Sequence, residues 1–104
     1  MRFKKAWVKI ASTNEFKNNG ALAKKIKDAH VALFNVDGVF HAIENACYHQ
    51  GVELHDGFVK DGMVTCPAHA WRFDLKTGAC SRDPSIIMKT FKIKVEGEDI
   101  FIYL

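Results

Sequence analysis

No stretch of this 104-residue chain approaches the roughly 18 uninterrupted apolar residues that a membrane helix needs. The start, Met1-Arg2-Phe3-Lys4-Lys5, is basic like the front of a signal peptide. The apolar stretch that should follow is missing, because Ala6-Trp7-Val8 runs straight into Lys9. A membrane or secreted protein is not expected, and the cytoplasm is the default location. Cysteine is scarce and odd in number: three, where a small extracellular scaffold carries an even set. In a reducing compartment such cysteines point to metal ligation, catalysis or burial rather than to disulfides. A continuous basic stripe is also missing. The net charge is +3, but acids lie between the lysines, and Asp28 closes the densest group, Lys24-Lys25-Ile26-Lys27. Nucleic-acid binding would want a longer stripe or aromatics stacked among the charges, so the lysines read as a solvated face. Repeats and low-complexity linkers are absent too.

What is present is an ordinary globular balance, 48% hydrophobic and 26% charged, enough for one compact domain over residues 1–104 and no second core. Apolar and polar positions alternate in short runs, the periodicity of strands. Trp7–Ala11 is the first such run, and Ser12–Phe16 reads as a capped single turn. Asn18-Asn19-Gly20 is a loop. Ala21–Lys27 has a helical composition, but Leu22, Lys24 and Ile26 sit at strand spacing and a strand is favoured. Asp28-Ala29 then turns into a strand over Val31–Val36. Asp37-Gly38 between apolar runs is a strong hairpin signal and leads to Val39–Ile43.

From about 44 to 83 the pattern changes to loops rich in Cys, His, Gly and Asp. They surround short runs at Phe58-Val59 and Met63-Val64-Thr65, hinged at Asp61-Gly62. Another short strand, Trp71–Leu75, precedes a turn at Lys76-Thr77-Gly78. Regular strands return at Phe91–Val95 and Ile100–Tyr103, with a turn at Glu96-Gly97-Glu98. The expected architecture is an all-β antiparallel base built from both chain ends, with a loop-rich unit inserted over about 44–83.

That unit holds two mixed motifs, Cys47-Tyr48-His49 and Cys66-Pro67-Ala68-His69, with sixteen residues between His49 and Cys66. Those sixteen contain turn glycines and a strand pair, enough to fold back and set the two loops face to face. Each loop offers one thiolate and one imidazole, and a two-iron cluster needs four protein ligands. If the cysteines bind one iron and the histidines the other, each loop spans both metals, which explains why each motif is mixed. Neutral imidazoles in place of two thiolates also raise the reduction potential. A Cys2His2 zinc site, and hence a zinc-stabilised interaction module, is the alternative. Zinc fingers, however, pair Cys with Cys and His with His, and a C-x-H pair is cramped around a single tetrahedral ion.

These residues resemble the Rieske ferredoxin family. Asn45-Ala46-Cys47-Tyr48-His49-Gln50-Gly51 with Leu54 and Asp56-Gly57 is similar to its first ligand loop. Thr65–Trp71 with Phe73-Asp74-Leu75 and Thr77-Gly78 is similar to its second, and the Val36-Asp37-Gly38 hairpin and Val95-Glu96-Gly97 fall where the family has them. The resemblance implies the Rieske fold and one [2Fe–2S] cluster. Cys47 and Cys66 would hold the buried iron, and His49 and His69 the outer one, their far ring edges at the surface. It implies a one-electron carrier rather than an enzyme, monomeric when free, between a flavoprotein reductase and a terminal oxygenase such as an aromatic-ring dioxygenase. A small Rieske-like subunit of a larger assembly, as in nitrite reductase, is the second reading.

Cys80 falls in a Thr-Gly-x-Cys context that the family does not use for ligation, so burial is expected. His30, His41 and His55 match no ligand position, although His55 lies near the first loop. The respiratory branch carries a disulfide between its ligand loops. The matching positions here, Val52 and Ala68, cannot bridge. Ala70 replaces a frequent glycine, and Asp83-Pro84-Ser85 is a sparse version of the family's proline-bearing cover. The respiratory serine and tyrosine hydroxyls that donate to cluster or ligand sulfur are replaced by Trp71 and Phe73, which implies a potential near the bottom of the Rieske range.

Overall fold

The computed structural model describes residues 6–16, 20–45, 53–67 and 71–104. Strand β1 (Trp7–Ser12) leads into one 3-10 turn at Thr13–Glu15, whose start is closed by the Ser12 N–H donating to Glu15 Oε2 at 2.7 Å. The other Glu15 oxygen takes Lys24 Nζ at 2.7 Å and so ties this turn to β2 (Ala21–Ile26). Strands β3 (Ala29–Val36) and β4 (Val39–Glu44) follow. A 3-10 turn at Leu54–Asp56 precedes β5 (Phe58–Lys60), β6 (Met63–Thr65) and β7 (Arg72–Asp74). The chain ends with β8 (Thr90–Phe91), β9 (Ile93–Glu96) and β10 (Asp99–Tyr103).

Three antiparallel sheets result, ordered β1-β10-β9, β2-β3-β4-β8 and β5-β6-β7. The four-stranded sheet is the middle layer, and the sequence of β3 shows why. Its Val31-Ala32-Leu33-Phe34 run is apolar at consecutive positions and buried throughout, as a strand covered on both faces must be. With a period of two, Ala32 and Phe34 join Ile43, Leu54, Val64 and Phe73 in one core. Val31 and Leu33 join Ile10, Ala42, Phe91, Ile100 and Ile102 in the other. Each fully buried Leu, Ile or Phe contributes about 1.5–3 kcal/mol relative to exposure.

The antiparallel all-β architecture is the one the alternating pattern predicts. The hairpins at Asp37-Gly38 and Asp61-Gly62 are confirmed, with Asp37 and Gly38 at φ 51° and 88° and Asp61 and Gly62 at φ 54° and 76°. Left-handed backbone at both central positions is what the tight hairpin turn requires. Three expectations need correction. The run Phe91–Val95 is two strands, not one: Thr90–Phe91 pairs with β4, and Ile93–Glu96 pairs with β10. The chain changes sheets at Lys92, a step that alternation of side chains does not reveal. The turn before β3 is Lys27-Asp28, with Lys27 at φ 54°, so β3 starts at Ala29, two residues earlier than expected. The strand expected over Trp71–Leu75 is limited to Arg72–Asp74, because Leu75 already belongs to the turn that Asp74 closes. The loop expected at Asn18-Asn19 lies outside the described residues. Among those described, no helix is long and apolar enough to cross a membrane.

Candidate metal centre

Two segments bearing the mixed Cys/His motifs leave this framework, and the structure shows how their ends are held. The first departs where β4 stops. The Glu44 N–H donates to Lys89 O and the Asn45 N–H to His30 O, both at 2.8 Å, so the departure point is tied to the middle sheet. Asn45 is the buried polar side chain among the described residues, 6% exposed. Its Oδ1 accepts the His55 N–H at 2.9 Å, and its Nδ2 faces His55 Nδ1 at 3.1 Å. The 3-10 turn at Leu54–Asp56 is closed by the Gly57 N–H to Leu54 O at 2.8 Å and anchored by fully buried Leu54.

Gly57 has an ordinary φ of −79°, so the demand for glycine here is steric. A Cβ would lie 2.5 Å from Thr65 O and 2.9 Å from both Leu54 O and Val64 Cγ2. The returning end of the first segment therefore abuts Thr65, the residue before Cys66.

Cys66 directly follows β6 with 1% exposure, among Leu54, Val64, Phe73, Leu75, Cys80 and Met88. Its N–H donates to Trp71 O at 2.7 Å, which closes the second segment. Trp71 packs against the same core, with the Arg82 guanidinium 5.9 Å from its ring centroid. The turn beyond β7 is fastened by Asp74 Oδ1, which accepts the N–H groups of Lys76 and Thr77 at 2.7 and 3.1 Å. Gly78 follows at φ 80°, and any Cβ there would overlap the Met88 carbonyl. The glycine lets residues 79–88 fold back over the core, with the Cys80 N–H on Ile86 O and the Met88 N–H on Gly78 O. In the same stretch Asp83 Oδ1 accepts the Ser85 N–H and hydroxyl, which holds the Asp83 carboxyl below the usual carboxylate range.

Of the four expected ligands the structure places Cys66. Cys47, His49 and His69 lie outside the described residues, as do Val52, Ala68 and Ala70. Cys80 is 2% exposed and packed as an apolar side chain, as its context predicts. His30 is exposed on β3. His41, half-buried on β4, titrates below the ordinary histidine range, first because burial disfavours its charged form and then because of nearby Lys76, with Asp74 opposing. His55 is neither ligand nor bystander. Its Nδ1 accepts from the Asn45 amide, and its Nε2 faces Asp56 Oδ1 at 3.4 Å. Donor atoms of Glu53, His55 and Asp56 lie within 4.8 Å of one another. Of that trio His55 is tied to Asn45 through its Nδ1 and its backbone N–H. Sequence reasoning missed the 3-10 turn, the Asn45–His55 link and the close approach at Gly57. A glycine between Asp56 and the apolar Phe58 was the available signal for the last.

Comparison with known proteins agrees with this frame. The family model of the Rieske [2Fe–2S] domain matches residues 6–92. The ferredoxin component of the naphthalene 1,2-dioxygenase system of Pseudomonas aeruginosa is 30% identical over 99 residues, covering 94% of this chain and 95% of the relative. The ferredoxin of carbazole 1,9a-dioxygenase from Nocardioides aromaticivorans IC177 superposes with a TM-score of 0.83 at 25% identity, over 92% of this chain and 95% of that one. A protein described as an NADH-dependent nitrite reductase small subunit from Mycobacterium tuberculosis gives 0.89 at 24% identity, over 98% and 97%, a likeness of fold.

The residues present suit such a cluster. A thiol is buried among apolar side chains at Cys66, and the two motifs offer two cysteines and two histidines in all. Both segments have hydrogen-bonded ends, and they meet at the Gly57–Thr65 contact. The zinc reading gives way to iron and sulfide. The chain belongs to the Rieske [2Fe–2S] domain family, homologous to the ferredoxin components of ring-hydroxylating dioxygenase systems, and it carries electrons on one [2Fe–2S] cluster rather than catalysing a reaction itself.

Proposed function

We propose that Cys47, His49, Cys66 and His69 hold the cluster, and that this chain passes single electrons from a flavoprotein reductase to a terminal oxygenase in the cytoplasm, as a monomer when free. The observation that carries the carrier reading is end-to-end similarity: the alignment with a dioxygenase ferredoxin component spans 94% of this chain and 95% of the relative. Each is accounted for almost wholly by the other. Residues 1–104 are read as one domain, with the cluster-binding unit of about 44–83 inserted in the β base.

When bound, the cluster supplies a site that takes up and releases one electron without breaking a substrate bond. The chain's own residues set its surroundings. Burial of Cys66 among Leu54, Phe73 and Met88 suits a thiolate on the inner iron and keeps water from it. The Cys66–Trp71 backbone bond holds together the two ends of the segment that bears His69, and Gly57 packs the end of the first segment against Thr65. Neither Trp71 nor Phe73 offers a hydroxyl to sulfur, so the extra negative charge of the reduced state goes without that stabilisation.

The test is an iron and sulfide count with visible and electron-paramagnetic-resonance (EPR) spectra, followed by size-exclusion chromatography and single-turnover electron delivery to a dioxygenase oxygenase component. Two irons and two sulfides per chain, monomeric elution and oxidation of the reduced protein by the oxygenase are expected. A second reading, a small subunit of a larger reductase assembly, is favoured by the TM-score of 0.89 over 98% of this chain. Obligatory co-purification with a large catalytic chain would select it.

A further inference from the structure

We infer that Asn45 and His55 are positioning residues for the redox centre: their side chains clamp the two ends of the Cys47- and His49-bearing segment, and so set where those ligands stand relative to Cys66. The inference rests on the ligand reading above and deepens it. Asn45 and His55 bracket residues 46–54, and two contacts join them. Asn45 Oδ1 accepts the His55 N–H at 2.9 Å, which leaves Asn45 Nδ2 to donate to His55 Nδ1 at 3.1 Å. The amide cannot be reversed without setting its NH2 against the His55 N–H, so the orientation of Asn45 is determined. On the far side of the ring, Nε2 faces Asp56 Oδ1 at 3.4 Å.

The clamp is fixed at its base as well. The Asn45 N–H is bound to His30 O on β3, and Asn45 is 6% exposed, so its side chain has few alternative partners. On the other side, His55 lies between buried Leu54 and the Gly57 junction that presses on Thr65. A shift at His55 would therefore reach both the span available to the first segment and the backbone that leads to Cys66. Polar partners behind a metal ligand commonly orient it and alter its affinity. Here the pair acts on the ends of the ligand-bearing segment instead of on a ligand atom.

The experiment compares holoproteins of the wild type, Asn45→Ala, His55→Ala, His55→Asn and Ile10→Ala. Readouts are the g-values of the dithionite-reduced protein, the reduction potential, and the first-order rate of cluster loss to a chelator. Asn45→Ala should shift the g-values and speed cluster loss on the order of tenfold, as expected when partly buried polar groups lose their partner. His55→Ala, which keeps the backbone bond, should change both in the same direction by less. His55→Asn should return both toward wild type, because its Oδ1 can replace Nδ1 as the acceptor. Ile10→Ala, which opens the distant base core, should lower Tm and leave g-values and potential unmoved. Wild-type g-values, potential and loss rate in Asn45→Ala would overturn the inference, as would a His55→Asn protein no different from His55→Ala. If Asn45→Ala does not accumulate folded, the two His55 variants decide. The ligand reading fails separately, through full iron and an unchanged spectrum in Cys47→Ser, whatever the clamp variants show.

Discussion

The base and the cluster-binding unit are held together in different ways. In the base, strands of up to eight residues pair over long registers, and β3 is buried on both faces. In the unit, the three strands have three residues each, too few for ladder bonds alone to define a shape. Point contacts replace length there: a glycine against Thr65 O, a glycine against Met88 O, a carboxylate on two N–H groups, and an asparagine joining residues ten apart. A long sheet spreads a defect over many bonds, whereas a contact-built unit fails at the contact. The two constructions should therefore respond differently to substitution, the base through loss of packing and the unit through loss of single contacts. The two share one core, in which Phe34 and Ile43 from the base meet Cys66 and Phe73 from the unit.

The largest break should come at the ligands. Cys66→Ser should abolish stable cluster assembly, read as loss of iron and of visible colour. Cys80→Ser, equally buried in the same core but not a ligand, should keep two irons per chain. Iron retained with an unchanged spectrum in Cys66→Ser would refute the assignment.

Next is a pair of changes that separates the regions. Ile102→Ala in the base core should cost about 2–5 kcal/mol in denaturant unfolding while leaving EPR and potential unchanged. Gly57→Ala should do the reverse in kind: its Cβ would meet Thr65 O at 2.5 Å, so the two ligand segments must part, and cluster retention should fall before the base melts. If both variants change Tm and spectrum in the same proportion, the proposed division of labour is wrong.

A smaller effect should come from restoring a hydroxyl. Phe73→Tyr places a phenol in the buried core that contains Cys66. A hydroxyl that reaches a ligand or cluster sulfur should raise the potential on the order of 50–100 mV, since a hydrogen bond to a charged group is worth roughly 1.5–3 kcal/mol and is present in both redox states. Voltammetry reads this directly. An unchanged potential with a lower Tm would mean that the phenol found no sulfur and was left unsatisfied.

The smallest effect concerns pH and belongs to the base. His41 titrates below the ordinary value of about 6.5 because burial and Lys76 disfavour its charge, Asp74 opposing. The unfolded chain therefore takes the proton more readily. Stability should be full above about 6.5 and decline as pH falls toward the folded-state value. His41→Leu should flatten that slope, measured as the Tm difference from wild type between pH 5 and 7.5. A slope identical in the two proteins would remove His41 from the acid response.

Much was legible in the chain itself. Short apolar runs and side-chain alternation identified the long strands, and Asp37-Gly38 and Asp61-Gly62 identified two of the hairpins, because these are local consequences of steric limits on φ and of burial along a strand. The mixed Cys/His spacing marked a metal centre, since ligand chemistry is carried by residue type, and its flanking sequence marked the Rieske family. Tertiary structure alone decided the rest. Whether Phe91 and Ile93 share a sheet depends on which strand lies beside each, and β4 and β10 are distant in sequence from one another. The burial of Asn45, its reach to His55, and the crowding of Gly57 by Thr65 are likewise contacts between segments brought together by folding. Such contacts depend on distances that local propensity does not encode, and so the residues that hold the ligand segments in place became visible only once the sheets had been assembled.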